Sequence, residues 1–291
     1  PQAGLYVSIL PAIAYAWLGS SRVQAVGPVA ITSIMTYAVL SPLATPGTGT
    51  YISLAATLAL GSGILLIAAA QLRLGFLAQL LSRPVTAGFI SGSALLIVLS
   101  QLQHLFSFQP QQTSAGAVIT AWLTQGRWDA NSWFGVAALL ILGLARWYAP
   151  RHLPAAPAIA ARITFFLRLL PLLLVLVATA LVAHLALGQT YGLHQVGGLT
   201  PGLPALQLSL PSLDDSSRLL LPMALLALIG MVQNMSMAQA LASKRRERGD
   251  ANAELNGLGW ANILAAGSGG MPVGGGVSRT AINVAAGAQT P

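Results

Sequence analysis

Five apolar stretches dominate the sequence, and each is long enough to cross the hydrocarbon core of a lipid bilayer as an α-helix. A core of about 30 Å requires about 20 helical residues. The stretches are residues 51–70, 85–106, 132–148, 165–187 and 219–242. This pattern predicts an all-α protein that passes through a membrane several times. Small residues inside the first stretch, Gly61-Ser62-Gly63, predict close packing between helices.

The composition excludes most water-soluble classes. Charged residues make up 7% of the 291 and hydrophobic residues 55%, whereas soluble domains carry about 25% charged residues. The net charge of +8 comes from basic residues that are scattered singly, apart from the run Lys244–Arg248. We therefore predict no nucleic-acid partner. The absence of cysteine excludes disulfides and thiolate ligands, and no pattern of an enzyme, a metal site or a cofactor site stands out.

The basic residues also predict the orientation of the chain. If Arg22 is cytoplasmic, eleven of the 14 basic residues fall in cytoplasmic loops and only Arg127 and Arg218 fall outside. This asymmetry follows the positive-inside rule. It predicts that the loop Lys244–Arg248 lies in the cytoplasm. We expect the membrane to be the inner membrane of the cell. Because the chain lacks an initial Met and stops after an apolar segment, we expect it to be the middle of a longer protein.

Four further apolar segments are too short to be ordinary spans: residues 4–18, 29–43, 255–266 and 277–288. Two of them follow abrupt breaks. The segment at residues 29–43 follows the strand-like run Val23–Val26 and the pair Gly27-Pro28. Proline favours the first helical turn. The run Met271–Gly276 precedes the other, and glycine allows an extended chain to turn into a helix. The sequence therefore predicts two half-helices that begin inside the membrane.

A helix that begins inside a membrane leaves its first N–H groups unpaired, and it is tolerated only against protein or a water-filled cavity. Such a start is a candidate anion site, and two breaks in corresponding repeats indicate a transporter site. Arg279 strengthens this interpretation, because no Asp or Glu in the apolar segments is available to pair with it. In the alternative interpretation, Gly and Pro are ordinary features of membrane helices and Arg279 is a loop residue.

Motifs along the whole chain resemble the sulfate permease (SulP) family of anion transporters. The first half carries Pro1–Tyr6, Gly19-Ser20-Ser21-Arg22 and Gly27-Pro28-Val29-Ala30. The second half carries Lys244-Arg245-Arg246, Asp250–Leu255, Gly257-Leu258-Gly259, Ala261-Asn262-Ile263, Ser278–Asn283 and Gly287–Pro291. The resemblance implies a fold of fourteen segments in two inverted repeats of seven, with a core domain, a gate domain and a following cytoplasmic STAS domain.

On that map the chain covers segments two to ten. Residues 1–72 would form the core domain of the first repeat, residues 73–215 the gate domain, and residues 216–291 the start of the second core repeat. The family resemblance also suggests a homodimer.

The resemblance further implies that the anion lies between the two half-helix starts. The matching positions are Gly27, Pro28, Val29, Ala30, Gly276, Val277, Ser278 and Arg279. The eighth segment, which carries Gln233 and Asn234, would line the same cavity. Many relatives have an acidic residue at Gln233, where a carboxylate could bind a coupling ion, H⁺ or Na⁺. The amide puts that coupling in doubt. Gln233 and Asn234 bind either the substrate or a neighbouring helix, and the sequence leaves both open.

These observations predict a secondary active transporter of small anions that works by alternating access. Sulfate, bicarbonate, chloride and small dicarboxylates all fit such a site. An uncoupled anion channel or an exchanger of the same fold is the alternative. A nucleobase permease fits less well, because its site would need acidic side chains for ring N–H groups.

Overall fold

The structure is a computed structural model that describes residues 2–76, 88, 91, 92, 95, 98, 99, 101–108, 114–148, 157–185, 187–193, 202, 213–245, 249–285 and 287–289. The chain divides into two compact units. One comprises Pro1–Ala94 and Leu199–Pro291, and the other comprises Leu95–Gly198. The division into domains at residues 72 and 215 stays a prediction.

The described parts of the chain are mostly helical. In chain order, the helices and strands are α1 (Gln2–Tyr6), α2 (Leu10–Leu18), β1 (Val26–Gly27), α3 (Ala30–Leu40), α4 (Gly49–Gln71), α5 (Ala115–Gln125), α6 (Ala130–Tyr148), α7 (Pro157–His184), α8 (Leu187–Tyr191), α9 (Leu213–Arg245), α10 (Ala251–Ser268), β2 (Gly274–Gly275) and α11 (Val277–Ala285). The strands form one antiparallel pair.

Three described helical segments are long and apolar enough to cross a membrane: Gly49–Gln71, Ala130–Tyr148 and Ser217–Gln239. They confirm the predicted spans at residues 51–70, 132–148 and 219–242. The stretch at residues 165–187 lies mostly in α7, which contains Pro171 and ends at His184. In the stretch at residues 85–106, the described residues are 88, 91, 92, 95, 98, 99 and 101–106, and all of them except Phe106 are helical.

The connection between the last two long stretches differs from its prediction. Three prolines and two Asp residues predict an irregular connection over residues 188–217, but Leu187–Tyr191 form α8, and α9 already begins at Leu213 and includes Asp214 and Asp215. The prolines that indicate irregular backbone, at positions 201, 204 and 211, all lie before this helix.

Helix α10 is the centre of the first unit. Asp250 caps it by accepting hydrogen bonds from the N–H groups of Asn252 at 2.8 Å and Ala253 at 3.2 Å. Its side chains at Leu255, Leu258, Ala261 and Ala265 are fully buried, and they pack with residues of α4 and α9. The helix thus buries a face in the protein although its sequence is short for a membrane span.

Small residues allow α4 and α10 to approach closely. A Cβ atom on Gly63 would lie 2.8 Å from the carbonyl oxygen of Gly259, and a Cβ atom on Gly259 would lie 2.9 Å from that of Gly63. Both distances are shorter than real side chains allow. The predicted packing role of the small-residue run therefore holds at Gly63, where the two backbones touch.

In the second unit, a hydrogen-bonded cluster organises the start of α6. Asp129 accepts from the N–H of Ser132 at 2.9 Å and from Nδ2 of Asn131 at 3.1 Å, and the hydroxyl of Ser107 also donates to it. Burial alone would raise the pKa of Asp129, but these hydrogen bonds outweigh it and lower the pKa to about 2. The ionised carboxylate is therefore the form that the folded protein stabilises.

We expect Asp129→Ala to lower the stability of the protein by about 0.5 to 1 kcal/mol, because α6 loses its cap. Thermal unfolding in detergent at neutral pH measures the change. The contribution of Asp129 to the free energy of unfolding should be fully present above the pKa of an unfolded Asp. It should disappear as the pH falls from about 4 to about 2. Thr120→Ala is the control, since that hydroxyl bonds only to carbonyls of its own helix. Equal stability of the two variants would contradict the capping role.

Candidate functional site

Two short strands bring together segments from opposite ends of the chain. Val26 pairs with Gly275 and Gly27 pairs with Gly274 in an antiparallel arrangement. The N–H of Gly276 also donates to the carbonyl of Ala25 at 3.0 Å. These bonds satisfy the extended backbone at the two predicted breaks, as a buried backbone requires.

Both half-helices start directly after this strand pair. Helix α3 begins at Ala30, and its N-cap, Val29, has an extended conformation and provides no side-chain cap. Helix α11 begins at Val277. The N–H groups of residues 30–32 and 277–279 make no hydrogen bond to any described residue. Two sets of helix N-terminal donors, each carrying positive partial charge, are therefore left available on either side of the strand pair.

The structure corrects one detail of the first break. Pro28 was expected in the first helical turn, but it lies outside α3, before the N-cap residue Val29. The missing N–H of proline therefore removes no helical hydrogen bond. Its fixed φ instead keeps the chain extended between β1 and the helix.

Arg279 lies against Gly27, across the strand pair. A Cβ atom on Gly27 would collide with Nη1 of Arg279, so the guanidinium occupies the space that any other residue at position 27 would fill. The side chain of Arg279 is exposed, and no hydrogen bond or ion pair joins it to the described residues. A positive side chain therefore stands beside the unpaired N–H groups without an acidic partner in the described part of the chain.

The side chain of Val29 closes the gap between the two helix starts. A Cβ atom on Gly274 would lie 3.2 Å from Cγ2 of Val29, and one on Gly276 would lie 3.4 Å from its Cγ1. The absence of side chains at these glycines allows Val29 to pack directly on the backbone around β2.

Two threonines tie each half-helix to the segment that precedes the opposite strand. The hydroxyl of Thr32 in α3 donates to the carbonyl of Pro272 at 3.2 Å, and the hydroxyl of Thr280 in α11 accepts from the N–H of Ala25 at 3.1 Å. Both side chains are buried. Asn283, also in α11, donates to the carbonyl of Val23 at 3.0 Å. The two helix starts are thereby held in a fixed relation.

Asn262 of α10 pairs with the backbone before β2 in the way that a neighbouring strand would. Its Oδ1 accepts from the N–H of Val273 at 3.0 Å, and its Nδ2 donates to the carbonyls of Val273 at 3.1 Å and Leu258 at 2.9 Å. Asn262 is 2% exposed. This side chain anchors the second break to the central helix.

The polar residues of α9 lie behind the strand pair. Nε2 of Gln233 donates to the carbonyl of Gly275 at 2.9 Å, while its buried Oε1 has no partner among the described residues. Asn234 is fully buried. Its Oδ1 accepts from Nε2 of Gln24 at 2.6 Å, and its Nδ2 donates to Glu254 at 2.9 Å. Of the two interpretations left open by the sequence, this geometry favours hydrogen bonding to neighbouring elements.

The structure thus gathers the predicted site residues in one place, with Gly27, Pro28, Val29 and Ala30 on one side and Gly276, Val277, Ser278 and Arg279 on the other. The side chains of Val277 and Ser278 lie outside the described part of the chain. No cluster of His, Asp or Glu that could hold a metal ion occurs among the described residues. An exposed cation beside two helix N-termini is suited to hold an anion.

A family model supplies the decisive comparison. The model of the sulfate permease family matches residues 1–291. This chain belongs to the sulfate permease family. Among its curated relatives, a probable sulfate transporter of Mycobacterium tuberculosis is 36% identical over 293 residues, and the chloroplastic sulfate transporter 4.1 of Arabidopsis thaliana is 33% identical over 296 residues.

Each of these alignments covers the whole of the sulfate permease chain but only part of the relative. The shares are 49% of the mycobacterial protein and 41% of the plant protein. The chain therefore spans about half the length of these relatives.

Solved structures confirm the fold. The anion transporter solute carrier 26 family member A9 from mouse, in an inward-facing state, matches with a TM-score of 0.82 at 22% identity, over 100% of this chain and 49% of that one. The transmembrane domain of the cyanobacterial bicarbonate transporter BicA matches with a TM-score of 0.71 at 24% identity, over 99% and 70% of the two chains. The chain has part of this transporter fold.

Sequence reasoning missed several residues that hold the site together. Gln24, Thr32, Asn262 and Thr280 are buried and hydrogen-bonded around the strand pair. A usable signal was present, because each is a polar residue within or beside an apolar segment. Such residues in membrane segments generally bond to a neighbouring element, although the sequence does not say which one.

We expect Asn262→Leu to destabilise the protein by about 1 to 3 kcal/mol, because the buried N–H and C=O of Val273 lose their partner. Asn256→Leu on the same helix is the control, since Asn256 is only partly buried and makes no side-chain hydrogen bond to a described residue. Thermal unfolding in detergent compares the two. A similar loss in both variants would assign the effect to the change in polarity of α10 rather than to the anchor.

Proposed function

We propose that the chain forms the substrate-binding part of a secondary active transporter of small anions that works by alternating access. The observation that carries the proposal is the exposed Arg279 beside Gly27, with unpaired N–H groups at the starts of α3 and α11. Each of these features attracts negative charge, and they face the same strand pair.

Electrostatics supports an anion as the ligand. An arginine within a membrane domain costs at least about 2.5 to 3.5 kcal/mol on insertion scales, so it needs a partner or a cavity. The described residues provide no acid for Arg279, whereas a bound anion would neutralise it. The N-terminal ends of the two helices add further positive potential.

Each predicted residue has a role in this proposal. Residues 27–30 contribute the backbone donors of α3, with Gly27 leaving space for the guanidinium. Residues 276–279 contribute the donors of α11, the hydroxyl of Ser278 and the charge of Arg279. Gln233 and Asn234 support the site from behind through Gly275 and Gln24.

The class of substrate is a small inorganic or organic anion: sulfate, bicarbonate, chloride or a dicarboxylate. The curated relatives are named as sulfate transporters, and one of the solved structures is a bicarbonate transporter. Helix N-termini and one guanidinium neutralise charge but impose little shape selection. We therefore expect several oxyanions to compete for the site.

Gln233 bears on the driving force. Its Nε2 donates to the carbonyl of Gly275, and a neutral amide gains and loses no proton at this position. Position 233 therefore offers no carboxylate through which H⁺ or Na⁺ could be coupled to transport. The amide at position 233 gives a second candidate, an uncoupled anion channel or an exchanger of the same fold. Transport that is independent of both the H⁺ and the Na⁺ gradient would favour this candidate.

The wider setting is part of the same proposal. The membrane is the inner membrane of the cell, the run Lys244–Arg248 faces the cytoplasm, and the complete protein is a homodimer. The excess of basic residues on one predicted side supports the orientation.

We expect Arg279→Ala to raise the KM for anion uptake about 10- to 100-fold, which corresponds to the loss of a charge-assisted hydrogen bond. Uptake of labelled sulfate into proteoliposomes containing the full-length protein measures this. Arg279→Lys should recover only part of the affinity, because an ammonium does not reproduce the planar fork of donors. Unchanged uptake by a correctly inserted Arg279→Ala protein would refute the site.

We expect Gly27→Ala to raise the KM in the same direction, because the new methyl group displaces the guanidinium of Arg279. Gly49→Ala is the matched control, since a Cβ atom there meets nothing within 4 Å.

The same uptake assay, repeated with bicarbonate, chloride and fumarate and with imposed H⁺ or Na⁺ gradients, identifies the substrate and the driving force. A steady anion current without saturable uptake would favour the channel.

A further inference from the structure

A buried carboxylate lies next to the proposed site without being part of it. Glu254 is 2% exposed and sits in the first turn of α10. Its Oε1 accepts from the N–H of Ser20 at 3.0 Å, from the hydroxyl of Ser20 at 2.7 Å and from the N–H of Ser21 at 2.7 Å. Its Oε2 accepts from Nδ2 of Asn234 at 2.9 Å and from the hydroxyl of Tyr15.

Glu254 is the acceptor in all five of these hydrogen bonds, and it lies at the positive end of α10. No basic side chain pairs with it among the described residues. An ionised carboxylate accepts hydrogen bonds and donates none. Every group that contacts the Glu254 carboxylate must therefore present a hydrogen-bond donor to it.

This requirement fixes the orientation of the side-chain amide of Asn234 and, through it, that of Gln24. Because Glu254 only accepts, Asn234 must turn its Nδ2 toward it and its Oδ1 away. That oxygen accepts from Nε2 of Gln24 at 2.6 Å, and the same Nε2 lies 3.3 Å from the carbonyl oxygen of Asn234. Gln24 must then turn its Oε1 away from α9. This oxygen is buried and has no hydrogen-bond partner among the described residues.

The junction of the two amides supports the strand pair. A Cβ atom on Gly275 would collide with Nε2 of Gln24 and would lie 2.6 Å from Oδ1 of Asn234. Gly275 in turn pairs with Val26 and precedes the start of α11. A reversed amide at this junction would bring two oxygens or two NH₂ groups together directly beneath β2.

We infer that Glu254 is a positioning residue of the anion site, acting through Asn234 and Gln24 on the strand pair that holds the starts of α3 and α11. The inference rests on the proposed function. In this role, the function of positions 254 and 234 depends on which side chain accepts and which donates the hydrogen bond between them. A purely structural role would not require this assignment to control anion binding.

This polarity makes an exchange experiment available. Glu254→Gln places an amide where the chain needs an acceptor, so Asn234 and Gln24 must reverse. Asn234→Asp alone sets two carboxylates against each other. The double variant Glu254→Gln with Asn234→Asp restores the pattern, because Nε2 of the new glutamine donates to the new aspartate and the other oxygen of the aspartate accepts from Gln24.

The four full-length proteins are compared by the KM for sulfate uptake and by the sulfate-dependent shift of the melting temperature. We expect each single variant to raise the KM about tenfold, equivalent to one hydrogen bond, with a much smaller change in Vmax per inserted protein. The double variant should return to within about threefold of the original KM. Asn256→Asp, which adds a carboxylate elsewhere on α10, is the control and should leave the KM unchanged.

A folded double variant that keeps the raised KM would overturn the inference, and so would a Glu254→Gln protein with unchanged KM. If the single variants do not fold, the double variant decides alone. Gln24→Leu adds a test that leaves the donors of Glu254 in place: it should raise the KM similarly, and an unchanged KM would also overturn the inference.

The two readouts separate this inference from the proposed function. If the original protein binds sulfate but transports none, the transport proposal fails, and the binding shifts of the variants still decide the role of Glu254. If the original protein does not bind any of the tested anions, there is no anion site to position, and both proposals fail.

Discussion

The antiparallel pairing of β1 with β2 is the interaction on which the rest of this unit depends. A membrane offers no hydrogen bonds to an interrupted helix, so a break is possible only where another backbone satisfies it. Val26 and Gly27 satisfy Gly275 and Gly274, and the reverse holds as well. Because each break is the partner of the other, neither half-helix could start where it does if the second break were absent.

Glycine is used at this pairing for distance as much as for flexibility. Gly274 and Gly276 allow Val29 to lie on the opposite backbone, and Gly27 leaves the space that Arg279 occupies. The same device recurs where Gly63 and Gly259 bring α4 against α10. The absence of side chains at these glycines lets segments from both ends of the chain pack closely, and this close contact concentrates N–H donors and a guanidinium in one small region.

The sequence predicted three of the long helices and the two breaks, because hydropathy and the positions of Gly and Pro are local signals. It did not predict the partners of Gln24, Asn262 or Glu254, since each contact joins elements distant in the chain and a single sequence carries no record of which pairs meet. The prediction of an irregular connection is wrong at residues 213–217 for a local reason. Acidic residues such as Asp214 and Asp215 favour both loops and helix starts, and only the structure separates these two cases.

The origin of the site from both ends of the chain has a consequence for biogenesis. The N–H of Ala25 and the hydroxyl of Thr280 that it contacts are 255 residues apart. At a synthesis rate of about 5 to 20 residues per second, the ribosome needs some tens of seconds to make the second after the first. Throughout that interval α3 has been made and its partner has not, so its exposed backbone must be kept hydrated or sheltered by the insertion machinery until α11 arrives.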